Sequence, residues 1–296
     1  MKALVLSAGG AFGAYQIGVW RALEENGWRP DLIVGASIGA VNGFAISRGA
    51  SAGDLLRIWR DEPLAVQQRA RDEGRRTPPR VSLAKHTDLF NSWIGQVFAQ
   101  WSGSPSCHDL LVTMTAWPSC ALREVRDREV ECAHLVASCA VPTVMPPARI
   151  DGRIYIDGGT FCPLPLRTAL RAGATEVVAV DVLAASPCKT IRWARVVGTS
   201  LRNFVRREET EPSREELAGV RLQRVQPFRR LGNLNACFAW DPRQIEALAE
   251  AGYQAAKASL GGPLERTQPL AHATPLPAQQ ECRAGGHYRE SGAAMP

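Results

Sequence analysis

The sequence predicts an α/β fold in which helices cover the faces of a mainly parallel β-sheet. Two observations carry that prediction. Short apolar runs alternate with helix-length segments from the first residues onward, and glycine-rich turns join each run to the helix after it. Ala3-Leu4-Val5-Leu6 is too short for a helix and is bounded by small residues, which marks a buried strand. Residues 7–13 read as a glycine-rich turn, and Tyr15, Ile17, Val19, Trp20 and Leu23 then fall in a helix that Asn26-Gly27 stops. Leu32-Ile33-Val34 repeats the pattern, running through Gly35-Ala36-Ser37-Ile38-Gly39 into a second helix that ends near Arg48-Gly49.

Residues 61–88 change character: they are polar, rich in arginine and broken by Thr77-Pro78-Pro79, and they read as a mobile surface insertion. Phe90, Trp93, Ile94, Val97, Phe98 and Trp101 follow at helical spacing and form one apolar, aromatic face. That face is either core packing or the wall of an acyl-chain site. Residues 110–115 and 177–182 are further strands, with a hairpin at 150–156 between them, while 192–230 shows little period. Residues 242–260 read as a last amphipathic helix, and the Gly- and Pro-rich stretch 261–296 as a disordered tail. The expected organisation is therefore one domain over 1–260 and a tail over 261–296.

A chain of 296 residues with 45% hydrophobic and 22% charged residues can bury a substantial core. It shows neither a transmembrane run nor a signal peptide, which leads to the expectation of a cytoplasmic protein. The net charge of +6 is carried mostly by arginine, since only Lys2, Lys85, Lys189 and Lys257 are lysines. Such a surface suits peripheral contact with an anionic membrane, in which the arginines at 60–80 are candidates; charge alone gives no reason to expect nucleic acid. The eight cysteines include no C-x-x-C pair, so reduced thiols and no metal site are expected.

Gly35-x-Ser37-x-Gly39 fits a nucleophile elbow in its required context, strand before and helix after. A sharp turn there presents the serine hydroxyl at a helix N-terminus, where the dipole favours developing negative charge. Gly9 and Gly10, without side chains, offer backbone N–H groups as an oxyanion hole. The same Ala8-Gly9-Gly10-Ala11-Phe12-Gly13 turn nearly matches a dinucleotide fingerprint. Against that stand Ala8 in place of the first glycine and the lack of a ribose-binding acid after Leu32-Ile33-Val34. The serine needs a base. His86, His108, His134, His272 and His287 lie in no recognisable base-bearing turn, whereas Asp157 follows the strand-like Ile154-Tyr155-Ile156 and is held by Gly158-Gly159.

Taken together, these motifs resemble the patatin-like phospholipase family. Ser7 to Gln16 is similar to its oxyanion loop and first helix, and Gly35 to Gly43 to its elbow. Ala137-Ser138-Cys139-Ala140-Val141-Pro142 with Pro146-Pro147 resembles the segment leading to its aspartate, and Asp157-Gly158-Gly159 its D-G-G/A motif. The resemblance implies a three-layer α/β/α fold with a mainly parallel central sheet and a Ser–Asp dyad, with Ser37 as nucleophile and Asp157 as base. It also implies an oxyanion hole of Gly9, Gly10 and Ala11, elbow glycines at Gly35 and Gly39, and fatty acyl esters of phospholipids or lysophospholipids as substrates, with no cofactor. Three positions depart from the family pattern: Ala8 stands where Gly is usual, Phe12 where Arg or Lys is usual, and Cys162 where Asn is common. Loss of a cation at position 12 opens a second possibility, a catalytically weak lipid-binding or scaffold protein that keeps the fold.

Overall fold

The computed structural model describes residues 1–60, 83–184, 212–232, 236–238, 240 and 242–260. Its strands are β1 (Lys2–Leu6), β2 (Leu32–Ala36), β3 (Asp109–Trp117), β4 (Leu122–Arg126), β5 (Ala148–Ile150), β6 (Arg153–Asp157), β7 (Glu176–Val180) and β8 (Arg221–Val225). Its main helices are α1 (Ala14–Glu25), α2 (Ile38–Ser47), α3 (Leu83–Trp101), α4 (Cys132–Ser138), α5 (Leu166–Arg171) and α6 (Pro242–Leu260). The strand order is β5-β6-β3-β2-β1-β7-β8, with β4 also paired to β3. From β3 to β8 all neighbours are parallel, whereas β4 and β6 pair antiparallel with β3, β4 along its outer edge and β6 on the side of β2, beyond the end of that strand.

The two faces of the parallel strands divide the core. Leu4, Leu6, Ile33, Leu110, Val112, Val178 and Val180 point into the larger cluster beside α1, α2 and α3. Ala3, Val5, Leu32, Val34, Val177 and Ala179 point into a smaller one that packs on Leu166 and Ala169 of α5. Burial on both faces explains why these strands read as continuous apolar runs rather than as alternation. The mainly parallel sheet between helices is the architecture the sequence predicts.

Helix α3 begins at Leu83, so residues 83–88, read as the end of the polar insertion, are its first turns. Residues 61–82 and the tail at 261–296 lie outside the described residues. The aromatic face of α3 packs into the core: Phe98 stacks on Phe44 at 5.1 Å, and Trp93 meets Trp59 edge-on at 5.6 Å. Among the described residues no helix is long and apolar enough to cross a membrane, and no His/Cys/Asp/Glu cluster is arranged to hold a metal ion.

Helices α1 and α6 touch backbone to backbone through two glycines. A Cβ on Gly18 would collide with the Ala249 carbonyl, and one on Gly252 with the Tyr15 carbonyl. The Tyr253 hydroxyl donates to Glu25 at 2.6 Å, and Arg21 lies over the Tyr253 ring, closing the outer side of the contact. Gly18→Val forces α6 off the sheet and is expected to destabilise the protein by about 3 kcal/mol or more. The urea midpoint reports the loss, with Gly95→Val as a control, because a Cβ at Gly95 meets nothing within 4 Å.

Candidate active site

Ser37 sits between the last residue of β2 and the first of α2, with φ 55° and ψ −128°. This left-handed conformation is one that non-glycine residues adopt only where surrounding structure enforces it. The enforcement is steric and polar. A Cβ on Gly39 would collide with the carbonyls of Leu6 and Ser7, and one on Gly35 with the carbonyl of Gly39, so the turn closes only with glycine at both places. The strained residue cannot use its N–H in strand or helix; that N–H donates instead to Ser138 Oγ at 2.9 Å. Ser138 in turn donates to the Thr113 carbonyl at 2.7 Å, and Thr113 Oγ1 donates to the Gly35 carbonyl at 3.1 Å.

Asp157 ends β6, which runs along the same edge of β3 as β2, while β4 occupies the opposite edge. The register pairs Ala36 with Thr113 and Asp157 with Met114, neighbouring positions on β3, so the last residues of β2 and β6 meet end to end and their loops leave the sheet together. The Asp157 N–H donates to the Ala140 carbonyl at 2.9 Å, and its carbonyl accepts from Thr115 Oγ1 at 3.1 Å. At Gly158, a Cβ would strike the Thr113 carbonyl, and at Gly159 one would strike Ala8, so both glycines let the turn lie flat against its neighbours.

The two side chains share a dry environment. Ser37 is 5% and Asp157 3% exposed. Burial pushes the Asp157 carboxyl up from 3.8 to about 7; the Ser37 hydroxyl and the N–H groups of Gly159 and Thr160 favour its charged form and hold the rise back. The contact is looser than a fully formed hydrogen-bond set, since Asp157 Oδ2 is buried with no partner. Catalytic hydrogen bonds are often long before substrate arrives and tighten afterwards. Cys139 borders both groups; burial first, then the Asp157 charge, raise its thiol pKa, and the Ser37 hydroxyl opposes them. The thiol is therefore neutral at ordinary pH.

The glycine loop faces this pair from β1. Ser7 is tied to β7 by its N–H to the Val180 carbonyl at 3.1 Å and by Ser7 Oγ, which accepts from the Val182 N–H at 3.1 Å. Ala8 donates to the Pro163 carbonyl at 2.8 Å. Gly9, Gly10 and Ala11 then lead into a one-turn 3₁₀ helix at Gly10–Gly13, whose first N–H groups have no acceptor within the turn. Gly10 has φ 55°, and a Cβ there would collide with the Cys237 carbonyl, so glycine is required on both counts. Behind the loop runs a buried polar chain. Gln16 Nε2 donates to the Ser7 carbonyl at 2.7 Å, Asn42 Nδ2 to Gln16 Oε1 at 2.9 Å, and Trp59 Nε1 to Asn42 Oδ1 at 2.9 Å.

The structure thus brings Gly9, Gly10, Ala11, Ser37 and Asp157 to neighbouring loops at one end of the sheet, as the motifs suggest. Phe12 is 2% exposed and packs into the core, against Gly232, so an arginine at that position would have to be buried or leave the core. His108 bonds the Pro30 carbonyl at 2.7 Å, and His134 caps α4, so neither is at the site. Sequence reasoning gave no individual role to Ser138, Cys139 or Thr113; only the Ala137-Ser138-Cys139-Ala140 motif pointed toward the first two. Ser138→Ala leaves the Ser37 N–H and the Thr113 carbonyl buried without their partner. It is expected to cost about 1–3 kcal/mol of stability. Urea unfolding measures the loss.

These features define a class: an α/β protein with a strained serine at a strand–helix elbow, a glycine-rich loop beside it and a buried carboxylate at the end of the strand that meets the elbow. The chain belongs to the patatin-like phospholipase family, whose profile matches residues 4–170. Patatin-like phospholipase domain-containing protein 7 of Rattus norvegicus is 31% identical over 185 residues, covering 61% of this chain and 13% of that protein. An NTE family protein of Mycobacterium tuberculosis is 31% identical over 189 residues, covering 61% of this chain and 48% of its own. The chain therefore spans less than half the length of either relative. The crystallised human GIVD cytosolic phospholipase A2 overlays with a TM-score of 0.49 at 11% identity, over 90% of this chain and 59% of that one.

Proposed function

We propose that the protein is a serine acyl hydrolase that cleaves fatty acyl esters of phospholipids, lysophospholipids or related lipids, with Ser37 as nucleophile and Asp157 as base. The observation that carries the reading is the pairing itself: a serine held in a strained elbow faces a carboxylate whose pKa burial has raised to about 7. An ordinary aspartate is too weak a base to take a serine proton. Desolvation brings this one into the range where general-base catalysis at neutral pH is efficient.

In the proposed cycle, Asp157 accepts the Ser37 proton as Oγ attacks the ester carbonyl. The developing oxyanion is met by the N–H groups of Gly9, Gly10 and Ala11, and each well-placed donor of that kind lowers the barrier by about 2.7–4 kcal/mol. Protonated Asp157 returns its proton to the departing alcohol, leaving an acyl ester on Ser37. Water, deprotonated by the same carboxylate, then releases the fatty acid. Cys139 stays neutral beside the pair and takes no proton in this scheme.

A second reading, a catalytically weak lipid-binding protein, is favoured by one feature: Phe12 puts a buried ring where the family usually carries a cation beside the oxyanion loop. Release of p-nitrophenol from butyrate, octanoate and palmitate esters separates the two. The hydrolase reading expects turnover that depends on chain length and on Ser37. Inert wild-type protein with intact fold would favour the binder, and activity that survives Ser37→Ala would remove the mechanism.

A further inference from the structure

The connection after β8 ends in an exposed finger with a composition unlike the rest of the surface. Phe228 is 80% exposed, far more than any other large apolar side chain among the described residues. Arg229 and Arg230 follow it, both exposed, and residues 226–232 contain no acidic side chain. The ends of the finger are fixed. Pro227 is buried, Leu231 packs against the main core, and Arg230 Nε donates to the Gly232 carbonyl at 2.7 Å. Arg229 has no ion-pair partner among the described residues.

Its position follows from the strand register. Leu6 pairs with Val180 and Val180 with Val225, all in parallel strands, so β8 finishes at the same end of the sheet as β1, two strands away. The chain leading to Phe228 therefore leaves the sheet at the end from which the glycine loop also emerges. The same connection returns over that loop: Gly232 lies against the Phe12 ring, the Cys237 carbonyl against Gly10, and Phe238, 42% exposed, follows directly. An aromatic tip followed by two exposed arginines, of which Arg229 has no ion-pair partner among the described residues, is poorly suited to water but well suited to a bilayer interface, where the ring enters the headgroup region and guanidinium groups meet lipid phosphates.

We infer that the 226–232 finger docks the protein on anionic bilayers, with Phe228 entering the interface and Arg229 pairing with lipid phosphate, so that the glycine-loop end of the sheet faces the membrane. The inference rests on the proposed reading of Ser37 as the nucleophile of a lipid hydrolase. Its measurement does not, because docking can be assayed without turnover.

The test is co-sedimentation of the full chain carrying Ser37→Ala with vesicles of phosphatidylcholine alone and of phosphatidylcholine mixed with phosphatidylglycerol. Binding is expected only to the mixed vesicles and to weaken with salt, since exposed charges are screened. Adding Phe228→Ala and Arg229→Ala is expected to lower the partition coefficient by about tenfold or more, of which the arginine accounts for about fivefold. The conservative pair Phe228→Leu and Arg229→Lys should retain most of it. Arg123→Ala with Arg128→Ala, exposed residues beside the opposite half of the sheet, should change it little. Equal losses in the two alanine pairs would mean non-specific charge attraction and overturn the inference, as would absence of binding to the mixed vesicles. Failure of the hydrolase reading would show separately, as inert wild-type protein in the ester assay.

Discussion

Replacing Ser37 by Ala or Asp157 by Asn is expected to lower kcat for ester hydrolysis by about 10⁴-fold, and the double variant should be no worse than Ser37→Ala alone. The non-additivity is the informative part. In the proposed mechanism attack and proton transfer occur in one step, so once the nucleophile is gone the base has nothing left to deprotonate. Neither side chain is large, and neither fills a cavity that the surrounding core could not tolerate losing. Circular dichroism of the variants should match wild type. A loss confined to kcat, with KM little changed, marks an interaction made in the transition state rather than in substrate binding. If Asp157→Asn kept more than a tenth of wild-type kcat, the base would have to be another group.

The pH dependence gives the second large effect. In the proposed mechanism Asp157 works only when ionised, and burial raises its pKa in the folded protein to about 7. kcat/KM should therefore rise about tenfold per pH unit up to neutrality and level off above it. Stability should move the opposite way. Unfolded, the carboxyl loses its proton near its ordinary value of 3.8; folded, it keeps it to about 7. Between those values the native state binds the extra proton, so stability falls as pH rises and settles at a lower plateau above about 7. Asp157→Asn removes the effect. Compared by urea unfolding, wild type should lose about 3 kcal/mol relative to Asp157→Asn between about pH 5 and pH 8. Equal slopes for the two proteins would mean the carboxylate titrates normally.

Much of this architecture was legible because the parallel strands are buried on both faces. Ala3-Leu4-Val5-Leu6 and Leu32-Ile33-Val34 announce themselves as apolar runs, and Asn26-Gly27 marks where α1 stops. Strands β4 and β8 did not: Leu122-Arg123-Glu124-Val125-Arg126 and Arg221-Leu222-Gln223-Arg224-Val225 lie at the margins of the sheet and carry charges on their open sides. Helix α3 was drawn too short because its first turns are polar and merge with the arginine-rich stretch before them.

The site divides the same way. Ser37 and Asp157 stand in short motifs whose glycines have local reasons to be there. Ser138 is different: its bond to the Ser37 N–H joins residues 101 positions apart, and only the packing of α4 on β3, beside the end of β2, creates it. Phe12 reads in sequence as a missing cation, whereas in three dimensions it is a core residue beneath the connection from β8 to α6.

The most direct measurement is covalent labelling with a long-chain fluorophosphonate, followed by intact mass and peptide mapping. A serine nucleophile in an oxyanion pocket should give one adduct per chain, located on Ser37. The adduct should be absent from Ser37→Ala and form much more slowly in Asp157→Asn. Stoichiometric labelling at another residue, or none in folded wild-type protein, would contradict the assignment of Ser37 as the reacting group.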